Sequence, residues 1–537
     1  MKISWLGRFA ASLLLVGFGQ PAWIEWLAPF AAVGGYALLW DSLRGISSRS
    51  SQFIAALFWF ALVQLIQLSW MTSIEYQGVS ILIVYALVSL ALGIQFALLS
   101  SLVLKNLTWS FSKILALAGF WTLMEWIRFH FLCGFSWNPI GIALTSFSIS
   151  LQLASIGGVL FLSFWVIVTN LLAYHSKLSR FTARSVALWS MAAFIPYAFG
   201  MGTLFHHKKE QKKHGVLRAL LVQPGLLPSQ KIPLEGRFEE FISPWDQWIG
   251  IFDCVKICRS EHVDLIALPE SAVPFPSGEA VYDYGTAREI IVNEFGHEAI
   301  KAFPNLVTPY AKEGKVTNAF FGQFLANHFA ADLIIGLDDQ DQEAYYSSAI
   351  HFAPWKDRLE RYEKRVLVPL AEYLPFAWCA KLAKKYGIES FYTAGKEAKV
   401  FFGSIPFSVS ICYEETFPNI VREGRLKGAH LFVNITNDNW WPDSKLAKQH
   451  FDHGKLRAVE NGVPLLRACN SGVTSAIDAL GNITAQLDEK QGALLAEVPN
   501  YQINTIYTFT GDSLIVGMSF GFLFFYMLFR KAGVRKK

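Results

Sequence analysis

Apolar residues crowd the N-terminal part of the chain in long runs. They cover residues 9–19, 22–40, 53–69, 79–104, 114–131, 147–174 and 186–204, and an eighth run covers 514–529. A helix that crosses a bilayer needs about 20 mostly apolar residues. The pattern predicts seven spans, a long gap and one last span. The first two runs are short or close together, whereas 79–104 and 147–174 are long enough to cross with tilt. Lys2 and Arg8 also fit the front of a signal peptide, but no A-x-A site follows and the next apolar run begins at once.

Lys and Arg placement orients such spans, because they accumulate on the cytoplasmic side. With the N-terminus inside, the inner segments hold Lys2 and Arg8, then Arg44 and Arg49, Lys105 and Lys113, Lys177, Arg180 and Arg184, and the tail Arg530, Lys531, Arg535, Lys536 and Lys537. The outer loops near Gln77 and at 133–145 hold neither residue type. Lys208, Lys209, Lys212 and Lys213 fall on the predicted outer side, where a long following domain crosses largely regardless of charge. Glu125 and Arg128 sit near the outer end of the fifth run, either as functional groups or as side chains reaching the interface.

Between about 215 and 504 the pattern changes. Short runs rich in Val, Ile, Leu and Phe recur at 219–223, 264–268, 332–336, 347–353, 400–404, 407–411, 430–435, 465–468 and 474–478, with helix-like stretches between them. Such runs suit strands buried on both faces, so a layered α/β domain is predicted. The polar HHKKEQKKH at 206–214 reads as the linker into it.

Composition sharpens this picture. The chain has 537 residues, 53% hydrophobic and 17% charged, against about 25% charged for soluble domains. That excludes a disordered chain, a coiled coil and an ordinary cytosolic enzyme. The net charge of +5 is mild, and no dense basic face predicts a nucleic-acid partner. Six cysteines in this length are not a disulfide framework. Cys254 and Cys258 share a helix-like face with no zinc-spaced partners, and no metal site is predicted. Five of the cysteines fall in the α/β region, an odd number, so Cys412 is expected to be free and Cys254, Cys258, Cys379 and Cys469 mostly buried and reduced.

Three reactive positions stand at strand ends. In DLIALPES, Pro269 stops the strand and Glu270 follows, either as an ordinary loop acid or as a carboxylate held in a cleft. In RYEKRVLVPLAEY, Lys364 lies beside two arginines and Glu372 follows it. In IPFSVSICYEETFPNI, the strand delivers Cys412 to a turn before Phe417-Pro418 opens a helix that ends at Gly428. A helix N-terminus near Cys412 would favour its thiolate. Together they form a chemical set. Glu270 takes a thiol proton, Cys412 attacks a carbonyl, and Lys364 stabilises the oxyanion. No His adjoins these motifs; His450 and His453 lie further on.

The Glu, Lys and Cys motifs in this order resemble the carbon–nitrogen hydrolase (nitrilase) superfamily. Their placement between seven spans and one more is similar to that of the apolipoprotein N-acyltransferases of bacterial inner membranes. The resemblance also rests on VQPG at 222–225, GFSWNPIG at 134–141, ITNDNWW with Asn437, Asp438 and Trp440, and PLLRACNSGVTSAID with Arg467, Asn470, Gly472 and Thr474. It departs at Ala371, where the family usually has Gly, and at Ser347, where an Asn is frequent. The charged stretch 277–329 is longer than the pattern and reads as a lid or insertion.

The resemblance implies a multi-span α-helical membrane bundle (1–205), a nitrilase-like α/β sandwich of α-β-β-α layering (215–505) on the periplasmic side, and an eighth membrane helix (512–530). It implies a catalytic triad of Glu270, Lys364 and Cys412, with Glu372, Tyr413, Glu414 and Trp440 supporting the site or the substrate. The implied reaction moves a fatty acyl chain from a membrane phospholipid through a thioacyl enzyme to the amine of a diacylated apolipoprotein. It needs no cofactor and is carried out by a monomer in the bacterial inner membrane. Two alternatives remain open from the residues. One is a membrane-tethered amidase or nitrilase that uses water, against which the anchor argues. The other is a binding or transport protein with a dead domain, against which the intact triad argues.

Overall fold

The computed structural model describes residues 5–105, 109–131, 134–258, 261–341, 344–356, 358–376 and 391–534. Lys2, Cys133, Cys379, Arg535, Lys536 and Lys537 lie outside the described residues. The chain forms two compact units. The first comprises Met1–Lys209, Asp443–Asn461 and Asn504–Lys537, and the second Glu210–Pro442 and Gly462–Ile503.

The first unit is helical. Among the described residues, four helices are long and apolar enough to cross a membrane: Arg49–Gln67, Ile81–Lys105, Ala154–Leu178 and Ala183–Gln211. The other apolar runs are helical too. Trp5–Phe18 is shorter, the run at 22–40 is divided by a π-turn at Ala31–Gly35, and Phe111–His130 carries four ionisable side chains. On Ile81–Lys105, Leu92, Phe96, Leu99 and Val103 are buried while Ile83, Leu87, Ile94 and Leu98 are exposed. An exposed apolar stripe of this kind suits contact with lipid rather than water. Phe96 stacks on Phe60 with centroids 4.7 Å apart and packs against Trp40, Trp59 and Trp121. Gly119 lets the last helix, Ser513–Val534, approach closely. A Cβ there would lie 3.0 Å from the Ser519 Cα.

Buried polar groups tie this unit together. Glu125 is fully buried and its Oε1 accepts the Ile140 N–H at 2.9 Å, so it anchors the GFSWNPIG loop instead of reaching an interface. Trp70 and Trp137 both donate to Gln449 Oε1, at 3.0 and 2.8 Å. Gln449 lies on the helix Leu446–Asn461, which is contiguous in sequence with the α/β region yet packs with the N-terminal helices. The helix Ala154–Leu178 is interrupted at Gly157 and Gly158, and where it resumes Glu460 Oε1 accepts the Val159 N–H at 2.9 Å.

The second unit holds two six-stranded sheets. The strands are β1 Val216–Gln223, β2 Leu265–Ala267, β3 Asp332–Asp341, β4 Ala344–Phe352, β5 Glu360–Glu363, β6 Val400–Phe402, β7 Pro406–Ile411, β8 Leu431–Thr436, β9 Leu465–Cys469, β10 Ser475–Ile477, β11 Ile483–Gln486 and β12 Gly492–Pro499. The sheet orders are β12-β1-β2-β3-β4-β5 and β11-β10-β9-β8-β7-β6. Each has a parallel centre, β1-β2-β3 in one and β7-β8-β9 in the other, flanked by antiparallel strands. Every strand predicted from the apolar runs is present.

Side-chain alternation builds the layers. Ala219, Leu221, Leu265, Ala267 and Ile334 meet Phe407, Val409, Leu431, Val433 and Leu466 in a core between the sheets. Leu220, Val222, Ile266, Leu333 and Ile335 point the other way, against the helices Pro244–Val255, Tyr284–Phe295 and Asn318–Phe329. The helix Pro418–Leu426 covers β7, with Gly424 close against Ser408. The layering is thus α-β-β-α. The stretch 277–329 is not a lid. Ala287, Ile291, Phe320, Phe321 and Phe324 place it inside the helical layer of the core. Its charges fall at outward positions of the helix Tyr284–Phe295, the turn His297–Ala302 and the short strands around 312–315, which is why the stretch reads as more polar than it packs.

Candidate active site

Strands of both sheets deliver their C-terminal ends to the residues singled out in sequence, and for the parallel strands this is where open α/β sheets place ligands. Glu270 follows β2, Lys364 follows β5, Cys412 follows β7 and Asp438–Trp440 follow β8.

Glu270 is buried on the turn after Pro269, and Ser271 beside it has a φ of 43°. This turn lies directly on β3. The Gly336 N–H donates to Pro269 O at 3.1 Å, and the Ala272 N–H donates to Gly336 O at 2.8 Å. A Cβ on Gly336 would stand 2.5 Å from the Glu270 Cα, so only glycine permits the approach.

Lys364 is 1% exposed. Its Nζ donates to Glu270 Oε1 at 2.8 Å and to Glu372 Oε1 at 2.6 Å. Burial pulls its pKa down, but Glu270 and Glu372 outweigh that and hold it well above a lysine's ordinary value. Glu372 Oε2 accepts the Val368 N–H at 2.7 Å, which fixes the carboxylate. Burial pushes Glu372 up, and Lys364 opposes this. Ala371 is exposed and does not take the left-handed conformation, so the missing glycine costs nothing there.

Cys412 has a φ of 50°, a strained left-handed conformation for a residue with a Cβ. It is not in a disulfide. Burial pushes its thiol well above the ordinary value, Glu270 adds to this, and Lys364 opposes it. The expectation of a helix-stabilised thiolate is corrected. The helix starts only at Pro418, beyond the 3-10 turn Cys412–Thr416, and burial with a neighbouring carboxylate decides the charge. Burial and the neighbouring Glu270 thus favour the thiol over the thiolate.

Glu414 is the joint of the site. It is fully buried, and its carboxylate accepts from the Arg365 N–H at 2.6 Å, the Val366 N–H at 3.1 Å, the Ile411 N–H at 2.8 Å and the Tyr362 hydroxyl at 2.9 Å. One side chain thereby ties the segment after Lys364 to the residue before Cys412. Tyr413 is half-buried and edge-on to Phe417 at 5.0 Å, and Trp440 is half-buried on the turn after β8.

The remaining motifs interlock around these positions. Fully buried Arg467 donates to Glu415 at 3.0 Å and lies 3.5 Å from Asp438. Asn470 donates to Asn437 Oδ1 at 3.1 Å and to Leu226 O at 2.6 Å, and Thr474 donates to Gln223 Oε1 at 2.6 Å. Gly472 has a φ of 122° where a Cβ would lie 2.6 Å from Asp438 Oδ2. Sequence reasoning missed Lys231 and Asp338. Lys231 in PSQKIP reads as a surface charge, and Asp338 sits in a run of acids, so nothing along the chain marks either. His450 and His453 lie on Leu446–Asn461, in the helical unit.

The α-β-β-α sandwich, with an acid, a lysine and a thiol at strand ends, defines a carbon–nitrogen hydrolase domain, and residues 238–507 match the carbon–nitrogen hydrolase family model. Residues 10–172 match the apolipoprotein N-acyltransferase N-terminal domain. An apolipoprotein N-acyltransferase of Chlamydia caviae is 31% identical, covering 95% of this chain and 95% of its own length. One of Chlamydia pneumoniae is 29% identical, covering 97% and 98%, and one of Chlamydia muridarum is 30% identical, covering 94% and 93%. The chain belongs to the apolipoprotein N-acyltransferase family and is an acyltransferase of lipoprotein biosynthesis.

Proposed function

We propose that the enzyme moves one fatty acyl chain from a membrane phospholipid to the α-amine of an S-diacylglyceryl-cysteine at the N-terminus of an apolipoprotein, through a thioester on Cys412. The observation that carries this reading is the buried Lys364 ammonium shared by Glu270 and Glu372 in the field of a protonated Cys412 thiol. Glu270 takes the thiol proton as Sγ attacks the ester carbonyl, and Lys364 stabilises the oxyanion. The C–O bond breaks, Glu270 protonates the departing alkoxide, and lysophospholipid leaves. The acceptor amine then attacks the thioester, Glu270 takes its proton, the C–S bond breaks, and the proton returns to Cys412.

Glu372 holds Lys364, Glu414 holds the two catalytic segments in register, and Tyr413 and Trp440 line the approach of substrate. No cofactor or metal takes part in this scheme. In the same reading, residues 1–205 and 512–530 form a multi-pass anchor, residues 215–505 form the catalytic domain on the periplasmic side of the inner membrane, and the enzyme works as a monomer. Exposing acyl chains to water costs about 0.8 kcal/mol per CH₂, so both lipid substrates are best met in the bilayer.

Intact-mass analysis of the full-length protein in detergent tests the scheme. After addition of phospholipid, a hydroxylamine-labile gain of one acyl group, absent from Cys412→Ala, is expected. A diacylated lipopeptide should then carry the acyl group away as an amide. Release as free fatty acid would favour the hydrolase instead, and no adduct at all would refute the thioacyl scheme.

A further inference from the structure

Lys231 ends the short helix Pro228–Lys231 after β1 and is 4% exposed. Gln247 Nε2 donates to its carbonyl at 3.0 Å, which fixes the backbone. Its Nζ donates to the main-chain carbonyl of Glu270 at 3.4 Å and lies in the field of two carboxylates, Glu270 after β2 and Asp338 on β3. Asp338 is itself held by the Tyr392 hydroxyl at 2.9 Å and the Tyr345 hydroxyl at 3.0 Å.

Glu270, Glu372 and Asp338 bring three carboxyl groups to the pocket, Glu270 buried and the other two partly so, and Lys364 donates to Glu270 and Glu372. Burial pushes Glu372 and Asp338 up, which the Lys364 ammonium opposes at Glu372 and the Tyr392 and Tyr345 hydroxyls oppose at Asp338. Uncompensated charge in such a place is costly. Lys231 is the second cation. Burial brings its pKa down to about 8, although Glu270 and Asp338 pull it up. It is therefore charged at neutral pH and loses its charge as the pH rises past that value.

We propose that Lys231 is a positioning residue of the acyl-transfer site, holding the Glu270 main chain and supplying the second positive charge that keeps the Cys412 proton transferable. The role rests on the reading of Glu270 as base and Cys412 as nucleophile. Glu270, Lys364, Asp438 and the Thr436 hydroxyl are among the groups that act on Cys412, and Lys231 reaches the thiol through the shared field of the pocket and its hold on Glu270.

The test is the pH profile of Cys412 alkylation by iodoacetamide in the full-length protein, located by peptide mass. It needs no lipid substrate. Removing a cation from an anion-rich pocket makes the thiol proton harder to remove. Lys231→Met should therefore slow alkylation below pH 8 by about tenfold. The deficit should close above pH 8, where wild type has lost the same charge. Lys231→Arg should keep the wild-type rate below pH 8. If Met prevents folding, Lys231→Gln carries the same test. No deficit, or a deficit of the same size at every pH, overturns the proposal. A pH-dependent deficit in a protein that never forms an acyl-enzyme would uphold Lys231 while refuting the thioacyl scheme.

Discussion

Glu414→Gln is the sharpest test of how the site is held. The substitution keeps shape and volume but exchanges one carboxylate oxygen for an NH₂ group. In wild type Oε1 faces the Arg365 and Val366 N–H groups, while Oε2 faces the Ile411 N–H. A glutamine satisfies one side only, whichever way the amide is turned. One or two buried N–H donors then meet another donor, and each costs about 1–3 kcal/mol. The expected loss is about 2–4 kcal/mol, read as a fall of roughly 5–10 °C in thermal midpoint for a domain of this size. The same change loosens the segment after Lys364 from the residue before Cys412. A misplacement of about 1 Å lowers a positioned reaction on the order of 100-fold, so single-turnover acylation of Cys412 should fall by about 10- to 100-fold. Glu397→Gln removes the same charge from an exposed position and should stay within about 0.5 kcal/mol of wild type. Wild-type stability together with a wild-type acylation rate in Glu414→Gln would refute the argument.

Two glycines yield further expectations. Gly336→Ala sets a methyl 2.5 Å from the Glu270 Cα; it should cost about 1–3 kcal/mol and slow Cys412 acylation at least about tenfold, and an unchanged single-turnover rate would contradict the close approach. Gly158→Ala forces a side chain into φ 67°, ψ −168°, with its Cβ 2.5 Å from Tyr507 Cε2. About 1–3 kcal/mol of backbone strain is expected, seen as a lower unfolding temperature of the helical unit in detergent, and a melt identical to wild type would count against the break at this glycine.

Much of the architecture was legible along the chain because burial on both faces leaves a one-dimensional mark. Long apolar runs became helices, and short runs rich in Val, Ile, Leu and Phe became the inner strands. Within the two six-stranded sheets, the strands that escaped notice are those without that mark. β5 is Glu-Arg-Tyr-Glu, β11 is mostly exposed, and β12 is only half covered. Their pairing comes from neighbours already in place rather than from their own pattern.

The sequence by itself determined the membrane character, the α/β region and the Glu270, Lys364 and Cys412 set, because each is carried by residue type at a strand end or by an unbroken apolar run. Tertiary structure decided what depends on distance through space. It turned Glu125 into a buried anchor for a loop and drew Leu446–Asn461 into the helical unit. It made Glu414 the joint between the segment after Lys364 and the residue before Cys412. It set Glu270 near the Cys412 thiol, which disfavours its thiolate, and brought Lys231 and Asp338 near Glu270. Protonation follows burial and the charges that converge on a group, and those come from strands far apart in the chain.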